Sequence, residues 1–126
     1  MMLFDTDVLV WAFRGNEKAL AEIGGAAERA VSAVSYMELL RGARNGREAT
    51  AIRKALGALS FRTLPVTESI SDRAVALMEA LALRNGLDPM DALVFASALE
   101  GAHVLCSANH KHFKDVPDLR SKVFRP

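Results

Sequence analysis

The sequence contains a single cysteine, Cys106, so the chain forms no internal disulfide and no zinc site built from several cysteines. It also lacks an apolar run of about eighteen residues and a basic N-terminal segment followed by an apolar one, and we therefore expect a cytoplasmic protein without membrane contact. The sequence also has no large excess of charge of one sign: 16 Lys and Arg balance 15 Asp and Glu. The resulting net charge of +1 does not indicate a nucleic-acid-binding protein. Because Cys106 lies in the apolar stretch HVLCS, we expect a buried thiol.

The remaining composition is that of a globular protein. Of the 126 residues, 51% are hydrophobic, which is enough for one domain spanning residues 1–126 with a sizeable core. The segments MMLF, RAVSAV, FRTLPV and HVLCS are typical of strands, with KVF as a short fifth. Helical patterns separate them, and such alternation predicts an α/β fold with a mostly parallel sheet of four to five strands and helices on both faces.

Individual helices and strands have recognisable boundaries. A first helix is predicted at about residues 7–14, a second before Gly24, and a third in SYMELLRGARNG. The clearest helix is ESISDRAVALMEALALRNG, which ends at Gly86 and has one apolar stripe, formed by Ile70, Ala74, Leu77, Met78 and Leu81. Pro65 suggests that the third strand lies at an edge of the sheet.

Acidic residues follow the predicted strands or begin predicted helices. Asp5 ends the first strand, and Thr6 and Asp7 are each able to cap the next helix without it. Glu38 completes Ser-x-x-Glu from Ser35, a pattern that also fits a capping box.

The segment DPMD adds two more acids. Asp88 fits an N-cap followed by Pro89 at the first helical position, which leaves the role of Asp91 open. Asp91 precedes the apolar run ALVFASAL, so its helix is expected to pack deep in the fold.

Asp5, Glu38 and Asp91 come from three distant segments, and each begins a helix at the carboxyl edge of the predicted sheet. Carboxylates crowded together raise one another's pKa unless a cation is present. Oxygen ligands of this kind suit Mg²⁺ or Mn²⁺, and such an ion can polarise a phosphoryl oxygen and activate a water. The sequence therefore predicts a composite acidic metal site.

The segments FDTDVLVWAFRGN, VSAVSYMELLRG and DPMDALVFASALEGAHVLCSANHKHF, in this order and spacing, resemble a PIN-domain ribonuclease, and within that superfamily the VapC-type toxins of prokaryotic toxin–antitoxin pairs. The resemblance covers nearly the whole chain and implies a three-layer α/β/α domain that cleaves RNA with Mg²⁺ or Mn²⁺. It implies that Asp5, Glu38 and Asp91 are catalytic, that Asp5 and Asp91 hold the metal, and that Glu38 joins them or orients the attacking water. Thr6 matches a hydroxyl often found beside the first acid.

The chain departs from the family pattern at one position. A fourth acid often follows the fourth strand in a pattern like Asn-x-x-Asp-Phe, and here that position is His112 in Asn109-His110-Lys111-His112-Phe113. We therefore expect one firmly held metal. Asp115 lies nearby in sequence, but no pattern indicates that it replaces the fourth acid. His110 and His112 are open to three interpretations, as solvated loop residues, metal ligands or phosphate contacts.

Other residues are candidates for binding. Asn109 is expected to bond an acid or a phosphate, and the arginines after Glu38 to contact the RNA backbone, namely Arg41, Arg44 and Arg47. The alternative for these arginines is a basic helix end that complements the helix dipole. The aromatic side chains of Trp11, Phe13 and Tyr36 are expected in the core. The resemblance offers an alternative for them, an apolar groove for an antitoxin segment, and it also implies an antitoxin partner and a homodimer.

Two other functions remain open. Asp-x-Asp after an apolar strand resembles the nucleophile motif of haloacid-dehalogenase-like phosphatases, although the lysine and late acidic pair of that family are not evident. The second alternative function is that of a non-catalytic PIN-like scaffold, which binds RNA or a protein. The absence of the fourth acid favours this alternative.

Overall fold

The computed structural model describes residues 1–126, which form five strands and seven helices. In chain order these are β1 (Met2–Phe4), α1 (Thr6–Phe13), α2 (Glu17–Gly25), β2 (Arg29–Ser32), α3 (Ala33–Arg41), α4 (Gly46–Ala58), β3 (Phe61–Leu64), α5 (Glu68–Asn85), α6 (Pro89–Gly101), β4 (Val104–Ser107), α7 (His110–Phe113) and β5 (Ser121–Val123).

The strands form one sheet in the order β3-β2-β1-β4-β5, and every neighbouring pair is parallel. The predicted α/β fold with a parallel sheet is thus confirmed, and β3 occupies an edge as Pro65 suggested. The chain builds outward from β1 in one direction through β2 and β3, then returns to the other side of β1 with β4. The order reverses between β1 and β4, and open parallel sheets place their sites at such a reversal, beyond the carboxyl ends of the strands.

Side chains alternate across the three central strands and divide the interior into two cores. Leu3, Ala30 and Leu105 face a core formed mainly with α5 and α6. Their chain neighbours Phe4, Val31 and Cys106 face a second core formed with α1, α2 and α4. Since all six are fully buried, the sheet is covered on both faces, which gives the three-layer α/β/α arrangement.

The clearest predicted helix is confirmed in α5. Ile70, Ala74, Leu77 and Leu81 are buried along one stripe, and Met78 packs at its margin. Gly86 follows the helix with φ of 74°, a left-handed conformation that glycine adopts at little cost. Cys106 is fully buried, as expected.

Three local expectations were wrong. The segment RAVSAV is not entirely a strand, because the Ser32 hydroxyl accepts a hydrogen bond from the amide of Val34 and α3 begins at Ala33. The interpretation of His110 and His112 as loop residues is wrong, because both lie in the short helix α7. Trp11 and Phe13 are 36% and 40% exposed, since the buried face of α1 consists of Val8, Leu9 and Ala12. None of the helices has the length and apolar character needed to span a membrane.

Candidate active site

A cleft of about 450 Å³ lies beyond the carboxyl ends of β1 and β4, where the strand order reverses. Its lining contains four carboxylates from three segments of the chain and only one apolar residue. The lining residues are Asp5, Thr6, Asp7, Glu38, Asp91, Ala108 and Asn109. The structure therefore brings together the three acids that the sequence singled out, and adds a fourth.

Asp5 is almost completely buried and is held by two donors. Its Oδ1 accepts a hydrogen bond from the amide of Thr6 at 2.8 Å, and its Oδ2 accepts one from the Ser107 hydroxyl at 2.8 Å. Asp7 is fixed to the same strand end, because its Oδ2 accepts from the amide of Ala108 at 3.0 Å. The pairing of β1 with β4 thus orients both acids.

Sequence reasoning missed Ser107, and it was wrong to let Thr6 or Asp7 cap α1 without Asp5, because Asp5 is the N-cap of that helix. The parallel register places Phe4 beside Cys106, so the residues that follow, Asp5 and Ser107, are adjacent at the strand ends. This pairing is a tertiary property, and the only local signal was the position of both residues at the end of a predicted strand.

Glu38 faces the cleft from α3. Its carboxylate accepts a hydrogen bond from the Thr6 hydroxyl at 2.7 Å, which links α3 to the start of α1. The capping-box alternative for Glu38 is wrong, because Ser35 is buried inside the helix and Ser32 is the N-cap. Glu38 therefore does not cap its own helix, and its carboxylate is available to the site.

Asp91 lies in the first turn of α6, and its Oδ2 accepts a hydrogen bond from the side-chain amide of Asn109 at 2.8 Å. The cap of α6 is Asp88, whose carboxylate accepts from the Asp91 amide at 3.0 Å and which precedes Pro89. Asp88 thus does the capping predicted for it, and the Asp91 side chain points away from its own helix end toward β4.

Burial makes the negative form of these carboxylates unfavourable. The pKa of Asp5 rises from 3.8 to about 7, chiefly because the group is buried and secondly because Asp7 is close, with a smaller contribution from Asp91. Burial also raises the pKa of Asp7, against the hydrogen bond from Ala108. The pKa of Asp91 is raised by burial and then by Asp88. A cation in the cleft would offset all three effects.

The donor set fits a divalent cation, although no three His, Cys, Asp or Glu side chains surround a common point as a complete cage. Mg²⁺ does not require such a cage, since it binds through one or two carboxylates and retains several waters. The Oδ1 atom of Asp7 is buried and has no hydrogen-bond partner, so one carboxylate oxygen at the cleft still lacks a positive neighbour. The residues therefore fit a hard cation coordinated by oxygen.

The remaining candidates lie around the cleft without lining it. Arg44 is paired with Glu48, with 2.9 Å between Nη2 and Oε2, whereas Arg41 is exposed and lies one turn after Glu38 on the same face of α3. His112 lies beside Asp91, with 3.5 Å between its Nδ1 and the Asp91 Oδ2. Asp115 accepts a hydrogen bond from Asn85 and does not line the cleft.

Several solved structures share this fold. A toxin–antitoxin complex from Klebsiella pneumoniae contains a chain 28% identical to this one, with a TM-score of 0.81 over 94% of this chain and 95% of that chain. VapBC2 from Rickettsia felis, bound to a DNA fragment from its promoter, is 16% identical with a TM-score of 0.85 over 98% of both chains. VapC20 of Mycobacterium tuberculosis, a toxin that cleaves the sarcin-ricin loop, is 16% identical with a TM-score of 0.64 over 83% of this chain and 87% of that chain. No protein of curated function matches the chain significantly.

The sequence model of the PIN domain family matches residues 2–119, which is nearly the whole chain. The phosphatase alternative has no support in the cleft, because no lysine lines it. The strand order, the position of the acidic cleft and the family match agree, and the chain belongs to the PIN domain family.

Proposed function

We propose that this chain, as a single domain of residues 1–126, is a metal-dependent endoribonuclease and the toxin of a toxin–antitoxin pair. The observation that supports catalysis most directly is the convergence of Asp5, Asp7, Glu38 and Asp91 in one cleft. Asp5 also caps α1, but capping does not explain the cluster: the Asp7 Oδ1 atom is buried without a partner, and burial raises the pKa of Asp5, Asp7 and Asp91. Binding a cation and positioning a phosphodiester gives them a common function.

In this proposal Asp5 and Asp91 hold Mg²⁺ or Mn²⁺, which when bound would polarise a phosphoryl oxygen and lower the pKa of a coordinated water. Glu38 is the most exposed of the acids and accepts a hydrogen bond from Thr6, so its second oxygen can orient the attacking water. Asn109 holds Asp91 through Oδ2 and thereby fixes the direction of that carboxylate.

Substrate would enter across the open side of the cleft. Asn109 lines that side, and the side-chain amide proton that does not bond Asp91 can be donated to a phosphate oxygen. Thr6 also lines it, but its hydroxyl would have to leave Glu38 to donate to the substrate. Arg41 makes no ion pair in the structure and lies on the same face as Glu38, so its charge is available to the RNA backbone. Arg44 would have to leave Glu48 to contribute.

The toxin assignment is supported by the relatives, which include the toxin–antitoxin complex from Klebsiella pneumoniae and the Rickettsia felis VapBC2 complex. The chain itself exposes apolar side chains on α1 and α3: Trp11 at 36%, Phe13 at 40% and Met37 at 60%. An antitoxin segment would cover such side chains. We also propose a homodimer and a cytoplasmic location, in keeping with a toxin that acts on cellular RNA.

The test is cleavage of a pool of transfer, ribosomal and messenger RNA by the purified chain without a partner, in Mn²⁺ or Mg²⁺ and in chelator. Asp91→Asn should abolish the discrete products, whereas Asp88→Asn should retain them. The second variant is a matched control, because asparagine caps a helix as well as aspartate and the residue lies outside the cleft.

Products that persist in chelator or in Asp91→Asn would contradict the proposal. A folded protein that binds RNA but leaves every RNA of the pool intact would favour the non-catalytic scaffold. Expression in a bacterial host adds a cellular measurement: the chain should arrest growth, and Asp91→Asn should not.

A further inference from the structure

The imidazole of His112 lies against Asp91, which lines the acidic cleft, and one of its nitrogens has no hydrogen-bond partner. Three buried polar side-chain atoms lack a hydrogen-bond partner in the structure, and His112 Nδ1 is one of them, together with Asp7 Oδ1 and Ser35 Oγ. The side chain of His112 is only 20% exposed, and its Nδ1 lies 3.5 Å from Asp91 Oδ2. A buried nitrogen without a partner carries a free-energy cost, and this one faces a carboxylate of the proposed metal site.

The distance argues against a simple ion pair. Charge-assisted hydrogen bonds between a ring nitrogen and a carboxylate are about 2.7–2.9 Å long, and Asp91 Oδ2 already accepts from Asn109 at 2.8 Å. Two ligands that are each about 2.1 Å from a shared ion can lie up to about 4.2 Å apart. The observed 3.5 Å therefore suits two ligands of one ion better than a hydrogen-bonded pair.

The ring is held in place by its helix. Phe113, the next residue, is buried and packs edge-on against Phe95 of α6, with 6.3 Å between the ring centres. The His112 amide donates to the Asn109 carbonyl at 3.1 Å, and the His112 carbonyl accepts from the side chain of Asn85 at 3.5 Å. Because backbone and neighbour are both anchored, little conformational freedom is lost when the ring binds a ligand.

We propose that Nδ1 of His112 is a ligand of the divalent ion held by Asp91, and that this nitrogen makes the site prefer Mn²⁺ over Mg²⁺. Mg²⁺ takes oxygen ligands almost exclusively, whereas first-row transition-metal ions accept imidazole nitrogen readily. The inference rests on the proposed function, since it concerns the same metal site. It also gives His112 a role at the position where the family pattern has an acid.

The first test is direct. The metal-free chain is loaded with Mn²⁺, and electron spin-echo envelope modulation is used to detect coupling between the ion and ¹⁴N. We expect the signal of one imidazole in the unmodified chain and in His110→Gln, and none in His112→Gln. His110 is a matched control, because it lies in the same short helix but is exposed.

The second test is the selectivity of binding, measured by calorimetry with each metal alone. His112→Asp replaces nitrogen by oxygen and should lower the ratio of the Mg²⁺ to the Mn²⁺ dissociation constant by about tenfold or more, a loss of the size seen at other perturbed metal sites. His110→Asp adds the same negative charge nearby and should change the ratio less than about twofold, an effect expected of a screened surface charge.

The outcomes separate this inference from the proposed function. If Mn²⁺ binds, Asp91→Asn abolishes binding and no nitrogen coupling is found, the proposed metal site stands and the role of His112 is refuted. An unchanged ratio in His112→Asp refutes it as well. If neither ion binds the folded chain, both proposals fail.

Discussion

Replacing Asp5 by asparagine should make the metal-free protein more stable at pH 8, although it should abolish activity. Asp5 is the most buried of the acids, and burial raises its pKa to about 7 from 3.8. The folded state therefore binds a proton at Asp5 between about pH 4 and 7 that the unfolded state has released. Stability of the metal-free protein must fall as the pH rises through this range, and asparagine removes that dependence.

The magnitude follows from the two pKa values. A difference between 3.8 and about 7 corresponds to roughly 4 kcal/mol above pH 8, at 1.36 kcal/mol for each pKa unit. Asparagine still accepts from the Thr6 amide, but its NH₂ group cannot accept from the Ser107 hydroxyl, which costs about 1–3 kcal/mol. We expect a net gain of about 1–3 kcal/mol at pH 8 and a net loss of about the same size below pH 4.

The assay is urea denaturation of the wild type and Asp5→Asn in chelator at pH 4, 6 and 8, with Asp88→Asn as the control. The difference in the free energy of unfolding between wild type and Asp5→Asn should change sign with pH. The corresponding difference between wild type and Asp88→Asn should not change sign. Added Mg²⁺ should stabilise the wild type by mass action and leave Asp5→Asn unchanged. A difference that is independent of pH would refute the reasoning from burial.

Two further predictions concern other parts of the molecule. Burial raises the pKa of the Cys106 thiol to about 12, so thiolate is scarce at pH 8 and iodoacetamide should label the chain only after denaturant is added. An adduct on the native protein, detected by mass spectrometry, would contradict the buried position of the thiol. In an Asp91→Asn background, Arg41→Gln should reduce the slope of log affinity for RNA against log salt by about 1, and Arg44→Gln by less because Glu48 already pairs with it. Arg73→Gln is the control, since Arg73 is paired with Glu100 and does not line the acidic cleft. Equal slopes for all variants would exclude Arg41 from RNA binding.

Much of the fold follows from patterns that are local in the sequence. The stripe from Ile70 to Leu81 and the glycine after it define α5 without reference to the rest of the chain. The start of α3 was predicted at Ser35, whereas the structure caps the helix at Ser32, one helical turn earlier. Tertiary packing decides between them: Ser35 is fully buried inside the helix, so the chain must turn at Ser32.

The candidate site likewise has some features that local sequence patterns predict and others that depend on tertiary pairing. Asp5, Glu38 and Asp91 could be singled out because each follows a strand or begins a helix, and parallel strands place such positions at one edge. The contributions of Ser107 and of the Ala108 amide depend on β4 pairing with β1, which no local pattern contains. Helix α7 has four residues and no side-chain cap, so its sequence gave no helical signal.

The two links that orient the first acids join parts of the chain separated by 102 and 101 residues, from Asp5 to Ser107 and from Asp7 to Ala108. A ribosome therefore produces Asp5 and Asp7 long before it produces the groups that orient them. A nascent or prematurely terminated chain that lacks β4 has carboxylates but no formed site. The topology therefore delays formation of the acidic cleft until β4 has been synthesised and has paired with β1.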